Sequence, residues 1–453
     1  MSPPYNSQDR VSKESSAIKK TLILCDFDGT VSIKDTVNRL IRTHLEDPHW
    51  RFYVKRYLLG EIGSKAVYEA LAPMMRMTRS DFERFVFEHA ELDPHFPRFL
   101  EWARLRNIDV KIVSDGFDET IRTLFRHHGV TGLDIIANSL IIKDDGKVEI
   151  RSEHFNPACK TCGTCKLSVI RKFRQEYDKI VLIGDGESDR HAATEADTVL
   201  ALGDLFFYCA TKKIPAIRIN GFHEVSLMLT RSVDAVAFDL DGTLIDSFDG
   251  IAEAFNHMFS QLGYPSMTPQ EVIRKTSVSL IDFVKSYLRP DHGELGIKVF
   301  RDYYDTIFLE KTFMAPGAME TLNKLNGSLI QGIVSNKRGR YARILAEHLG
   351  FAHKMAKILG AEDGFKAKPA ADMFHEFVRS VGSTVEKTIY VGDAPIDIQG
   401  ARAAGMDTYA VVGPFFSAEE LALHKPRRVL SHINELPAAL EPVILLGGPE
   451  YKN

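Results

Sequence analysis

An α/β chain is predicted, built as two parallel, doubly wound sheets, each flanked by helices. Three observations carry this. Short apolar runs of β type alternate with segments of helical periodicity. Most of those runs end in an acidic residue or a glycine that breaks the strand. The same order of features then recurs about two hundred residues later, a period too long for a solenoid repeat.

The elements follow in order. The opening "MSPPYNSQDRVSKESSAIKK" has charges and small polar residues but no apolar stretch of leader length, so residues 1–18 are expected to be a disordered lead-in. "TLILC" (Thr21 to Cys25) is short and apolar enough for a strand buried on both faces, and the Gly-Thr of "DFDGTVS" opens the loop after it. Strands are predicted again at "DVKIVSDG" and "KIVLIGDG", with "DETIRTLFRHHG" as a helix that stops at its glycine. The second copy begins at "DAVAF" and "DLDGTLIDS" and continues through "SLIQGIVSN", the helix "RYARILAEHLG" and "KTIYVGDA". No Pro/Gly/Ser-rich linker parts the copies, so two closely packed domains are expected, at 19–230 and 231–440, with a tail at 441–453.

In each half roughly ninety positions separate the D-x-D motif from the next serine-ended strand, far more than a plain crossover needs. The surplus reads as helices: "DTVNRLIRTHL" and "RSDFERFVFEHAEL" in the first half, "GIAEAFNHMFSQLG" and "LIDFVKSYL" in the second. Helical caps are therefore expected at about 33–105 and 246–315.

Bulk properties exclude several functions. The chain of 453 residues is 44% hydrophobic and 26% charged, which suits a soluble protein with two cores. Its net charge of −4 supplies no basic field for nucleic acid. No window approaches eighteen uninterrupted apolar residues, so no membrane span is expected. Five cysteines make no disulfide framework, and without an export signal the expected location is the cytoplasm.

The motifs point to phosphoryl chemistry. In an open α/β sheet, ligands bind beyond the carboxyl ends of the strands, where Asp26 and Asp28, and Asp239 and Asp241, are expected. Two neighbouring carboxylates push their pKa values apart, so one serves as nucleophile and the other as acid/base. Asp185 and Asp393 add a third carboxylate to each set, and like charges so gathered call for a hard cation such as Mg²⁺, one per half. Ser114 with Lys166, and Ser335 with Lys368, pair a hydroxyl with an ammonium that suits phosphoryl oxygens.

These residues, in this order, resemble the haloacid-dehalogenase superfamily of phosphatases, twice over. "DFDGTVS", "VSDG", Lys166 of "CGTCK" and "GDGESD" match the four family motifs in the first half. "DLDGTLIDS", "VSN", "KPAADMF" and "GDAPIDIQGARAAGM" match them in the second. The resemblance implies two Rossmann-like domains, each with a helical cap inserted after the first motif. It implies Asp26 and Asp239 as nucleophiles that form an aspartyl phosphate, and Asp28 and Asp241 as acid/base groups whose main-chain carbonyls also meet the metal. Ser114, Lys166, Ser335 and Lys368 would hold phosphate, Asp26, Asp28, Asp185, Asp239, Asp241 and Asp393 would form the metal sites, and Asp189 and Asp397 would support the metal or the lysine. The first half is similar to the methionine-salvage 2-hydroxy-3-keto-5-methylthiopentenyl-1-phosphate phosphatases and to phosphoserine-phosphatase-like and phosphoethanolamine/phosphocholine phosphatases. The second is similar to phosphoglycolate phosphatase.

The expected function is a bifunctional Mg²⁺-dependent phosphomonoester hydrolase for small phosphorylated metabolites. The alternatives are one catalytic domain beside a binding or scaffold domain, and a phosphomutase in the second half. No oligomeric state is implied. Cys159, Cys162 and Cys165 form C-x2-C-x2-C, with His154 upstream and Cys209 downstream. Zinc is the less favoured reading of them, because only one half of a paired array is present.

Overall fold

The structure is a computed structural model that describes residues 20–45, 50–159, 162–276 and 280–444. The lead-in at 1–18 and residues 445–453 of the tail lie outside the described residues.

The first half builds a seven-stranded sheet from β1 (Thr21–Cys25), β2 (Asp109–Phe117), β3 (Asp134–Ile142), β4 (Val148–Arg151), β5 (Lys179–Gly184), β6 (Thr198–Ala201) and β7 (Ala216–Arg218), in the order β4-β3-β2-β1-β5-β6-β7. Central β1 pairs in parallel with β2 and β5. Leu22, Ile23, Leu24 and Cys25 are wholly buried, as a strand covered by helices on both faces requires. Each such aliphatic side chain contributes roughly 1.5–3 kcal/mol by leaving water. The parallel pattern breaks once. β3 and β4 pair antiparallel because Asp-Asp-Gly between them turns the chain at once, with Gly146 at φ +78°. A connection that short cannot make a parallel crossover.

The second half repeats the plan with β8 (Ala235–Phe238), a two-stranded ribbon of β9 (Ile245–Asp246) and β10 (Phe313–Met314), then β11 (Ile330–Arg338), β12 (Met355–Ala361), β13 (Thr388–Gly392), β14 (Asp407–Val411) and β15 (Arg428–Leu430). The main sheet runs β12-β11-β8-β13-β14-β15, parallel throughout.

Helices fill both long insertions. Val37–His44, Trp50–Leu58, Ser64–Leu71 and Arg79–His89 stand between β1 and β2. Phe248–Leu262, Pro269–Thr276, Leu280–Tyr287 and Gly293–Ile307 stand between β9 and β10. Their limits are local. Thr78 and Asp81 cap the helix at Arg79 reciprocally, at 3.1 and 3.2 Å, a device that contributes about 1 kcal/mol. Gly263, at φ +75°, stops the helix at Leu262. Among the described residues no helix is long and apolar enough to cross a membrane.

The two sheets abut at their edges. The Arg218 amide of β7 donates to the Arg427 carbonyl at 2.9 Å. The Arg427 guanidinium reaches Glu224 at 2.9 Å and Asp407 at 3.0 Å, and Arg231 also pairs with Asp407. Burial works against the charge of Glu224 and Asp407, but the guanidinium groups outweigh it and hold both carboxyls below their usual range.

Candidate active sites

The two halves place their motif residues in the same way. Asp26 follows β1 and its amide donates to the Ile183 carbonyl of β5 at 2.8 Å; Asp239 follows β8 and does the same with Val391 of β13, also at 2.8 Å. The acidic loop is thus pinned to the strand that carries the third carboxylate, Asp185 or Asp393. Thr30 Oγ1 donates to Asp185 at 3.1 Å, and Thr243 Oγ1 to Asp393 at 2.9 Å. Gly29 and Gly242 stand at φ +77° and +84°. A Cβ on either would fall 2.3 Å from the adjoining carboxylate oxygen, so the glycine of D-x-D-G-T sets the closest approach of loop to acid.

A buried lysine ties each set together. Lys166 Nζ lies 2.7 Å from Asp26 and 2.6 Å from Asp189; Lys368 Nζ lies 2.9 Å from Asp239 and 2.6 Å from Asp397. A hydroxyl completes each shell: Ser188 at 2.8 Å and Tyr390 at 3.0 Å. Burial disfavours each ammonium, yet the paired carboxylates hold both lysines protonated above their ordinary range. Ser114 Oγ accepts from the Gly116 amide at 2.9 Å, and Ser335 Oγ from the Lys337 amide at 3.2 Å. Both serines are buried, Ser114 within β2 and Ser335 within β11, and each lines the same cavity as its acids.

Three carboxylates in each half bring oxygens within 4.8 Å of one another: Asp26, Asp185 and Asp189, then Asp239, Asp393 and Asp397. Burial, and then the Asp189 carboxylate, push Asp26 well above the usual carboxylate range and Asp185 up to about 6. Burial pushes Asp239 up to about 6; it also lifts Asp393 well above the usual range, with Asp397 and Asp239 adding to it. Crowded carboxylates that resist sharing negative charge are the donor set a hard divalent cation relieves, so the residues fit Mg²⁺.

The second acid of each motif lines the same cavity as the first but has other partners. Asp28 Oδ1 accepts from Thr36, at 2.7 Å from the amide and 2.6 Å from the hydroxyl. Burial pushes its pKa up to about 7, with the Thr36 hydroxyl pulling the other way. Asp241 instead meets Lys337 Nζ at 2.8 Å and the Ser247 hydroxyl. Lys337, Thr36, Thr30 and Thr243 were not singled out by sequence. The threonines of D-x-D-G-T could have been, since they belong to the motif itself. Lys337 directly follows "VSN", but only the fold shows that it reaches Asp241.

Caps close over both sites. In the first, Ser64 Oγ of a cap helix donates to buried Asp115 at 2.6 Å, and Tyr68 Oη donates to the Asp115 carbonyl at 2.8 Å. In the second, Arg301 of a cap helix pairs with Glu362, which also holds Arg338 at 2.8 Å. The cavity over Asp26 measures about 190 Å³ and that over Asp239 about 440 Å³.

Cys165 directly precedes the buried Lys166. Cys162 and Cys165 are buried and Cys159 is half-buried, while His154 is exposed and Cys209 sits in an apolar cluster. Among the described residues they join no group of three metal-ligating side chains.

Comparison with known proteins finds one match in each half. A family model described as haloacid dehalogenase-like hydrolase matches residues 23–194, and a second of the same description matches 236–411. Phosphoglycolate phosphatase of Salmonella typhi is 28% identical over 235 residues, 46% of this chain and 93% of the relative. The 2-hydroxy-3-keto-5-methylthiopentenyl-1-phosphate phosphatase of Bacillus pumilus is 28% identical over 198 residues, 42% of this chain and 83% of the relative. Among solved structures, a haloacid dehalogenase-like hydrolase of Streptococcus pneumoniae aligns with a TM-score of 0.43 at 27% identity, over 46% of this chain and 99% of that one.

Proposed function

Each half of this chain belongs to the haloacid dehalogenase-like hydrolases, and on that premise we propose a bifunctional phosphomonoester hydrolase with two working sites. One observation carries the reading: the lysine held between two buried acids, with a third acid alongside, occurs complete in both halves. Its repetition favours two working sites over one site and a scaffold.

Asp26 and Asp239 attack phosphorus and form an aspartyl phosphate. Asp28 and Asp241 donate a proton to the leaving oxygen, then take one from the water that cleaves the acyl phosphate. A proton on Asp28 near neutral pH suits the first of those tasks. Lys166 with Ser114, and Lys368 with Ser335, hold phosphoryl oxygens, and Asp189 and Asp397 fix the lysines. Asp26 and Asp185, with the Asp28 carbonyl, would hold one Mg²⁺; Asp239, Asp393 and the Asp241 carbonyl would hold another. Bound there, Mg²⁺ supplies neutralisation of charge on the transferring phosphoryl group. The caps exclude water and select the substrate.

The substrates are small phosphorylated metabolites, different for the two halves because the caps and cavities differ. The test is phosphate release from a panel of sugar, amino-alcohol and carboxylic-acid phosphates by the intact chain and by Asp26→Asn and Asp239→Asn. Each substitution should abolish a different part of the activity, and chelation should abolish all of it. Full turnover after exhaustive chelation, or equal partial losses on every substrate, would overturn the reading.

A further inference from the structure

The second cavity is the larger of the two that hold the motif acids. Its volume of about 440 Å³ falls in the range of pockets that enclose drug-sized ligands. Its walls are rings contributed from both sides. Phe255 and Phe300, on cap helices, meet at 4.6 Å between centroids. Phe248 of the cap and Phe415 of the sheet domain meet edge to face, also at 4.6 Å, and Tyr304 of the cap meets Tyr341 of the sheet domain edge to face at 5.2 Å. Asp239, Ser335 and Lys368 line the same cavity.

The charges agree with the walls. Every cation lining this cavity, among the described residues, already has a carboxylate of the protein. Lys368 has Asp239 and Asp397, Lys337 has Asp241, and Arg301 and Arg338 share Glu362. A substrate carboxylate would therefore have to share a cation with an internal acid or displace that acid. A planar ring needs no such exchange. It would complete edge-to-face contacts with rings already held at aromatic spacing and would expel water from apolar walls.

We propose that the second site acts on phosphomonoesters whose leaving alcohol carries an aromatic ring. This rests on the phosphatase reading of that site. The reaction is hydrolysis: the bond from phosphorus to the alcohol oxygen breaks as the bond to Asp239 forms, and the Asp241 proton goes to the alcohol. Water then cleaves the acyl phosphate, yielding inorganic phosphate and the ring-bearing alcohol.

The test uses full-length Asp26→Asn protein with Mg²⁺, so that only the second site works. Phosphate release is measured from benzyl phosphate, ethyl phosphate and 2-phosphoglycolate; the benzyl and ethyl leaving groups differ chiefly in the ring. Benzyl phosphate should have a kcat/KM at least about tenfold above either of the others, one ring contact and its buried area being enough for that. Phe300→Ala and Phe415→Ala, made separately so that loss of fold in one does not end the test, should each shrink the benzyl-to-ethyl ratio several-fold. Ethyl phosphate or 2-phosphoglycolate turned over as well as benzyl phosphate would overturn the aromatic preference while leaving the phosphatase reading intact. No release from any of the three would overturn the phosphatase reading, and this proposal with it.

Discussion

Asp28 and Asp241 hold the same place in two copies of one motif, yet their partners are opposite in kind. Asp28 faces a neutral threonine, and burial keeps a proton on it up to about pH 7. Asp241 faces the ammonium of Lys337 at 2.8 Å. The first acids, lysines and third acids keep matching ion pairs and threonine contacts in the two halves, whereas the second acids differ. The difference shows which part of such a site is scaffold and which is adjustable. The first acid, lysine and third acid repeat between the halves; the second acid takes its partner from the loop after the motif in one half, Thr36, and from the end of β11 in the other, Lys337.

The comparison breaks first if the halves are not independent. Asp26→Asn should lower first-site turnover by about 10³-fold or more and leave the second untouched, and Asp239→Asn should do the reverse. Separate substrate assays on one preparation would read this. Asp28→Asn and Asp241→Asn should cost about 10²–10⁴-fold at their own sites. With a good leaving group these two variants should accumulate phosphoaspartate on Asp26 or Asp239, seen by rapid quench and mass spectrometry; label on a serine or histidine would contradict the assigned roles.

Next in size is the lysine. Removing one partner from a buried ion cluster costs about 3–5 kcal/mol. Lys166→Met and Lys368→Met should therefore each lower the unfolding midpoint in a denaturant titration, and by similar amounts, because each lysine holds two buried acids. A loss in one half alone would mean the two clusters are not energetic equivalents.

A smaller effect sharpens the contrast between the acids. Thr36→Val removes a hydrogen bond that favours the charged form of Asp28. The folded pKa should rise, so the alkaline limb of the first-site pH profile, where the acid loses its proton, should move to higher pH. The second-site profile should not move. Lys337→Met should instead reduce second-site turnover alone, by misplacing Asp241.

The smallest effect concerns the seam between the sheets. Glu224 and Asp407 have folded pKa values below their unfolded ones of about 4. Their contribution is present above that value and lost as pH falls through the lower folded values. Acid should thus weaken the intact chain, and Arg427→Met should flatten the fall between pH 5 and 3 in urea midpoints.

The strand ends and their acids were legible in sequence because D-x-D-G-T, "VSN" and the Gly-Asp strand ends are local patterns. Six central strands could be read for the same reason, since "TLILC" and its counterparts each carry a short, mainly apolar run. Edge strands such as β7 and β15 were not, because three residues give no period to recognise. The Asp-Asp-Gly turn before β4 carries its own signal for a hairpin, an exception to the parallel sheets that alternating strands and helices suggest. Lys337 against Asp241, and Arg301 with Arg338 on Glu362, join residues remote in the chain. No spacing rule finds such pairs without the fold. The ring-lined second cavity was hidden similarly, its phenylalanines being spread from Phe248 to Phe415.

The meeting of β7 with β15 bears on why two such domains share one polypeptide. A three-residue strand at the rim of a sheet exposes unpaired amides and carbonyls that can recruit a neighbouring molecule. Here each rim shields the other through the Arg218 to Arg427 bond. Ala422 of the second half is buried in the apolar cluster under β5 and β6, and Ile444 closes onto the Leu229 carbonyl. Severing the chain between the copies would leave two sticky margins. Either half expressed alone should bare its rim, and size-exclusion chromatography should show it more self-associated than the full chain.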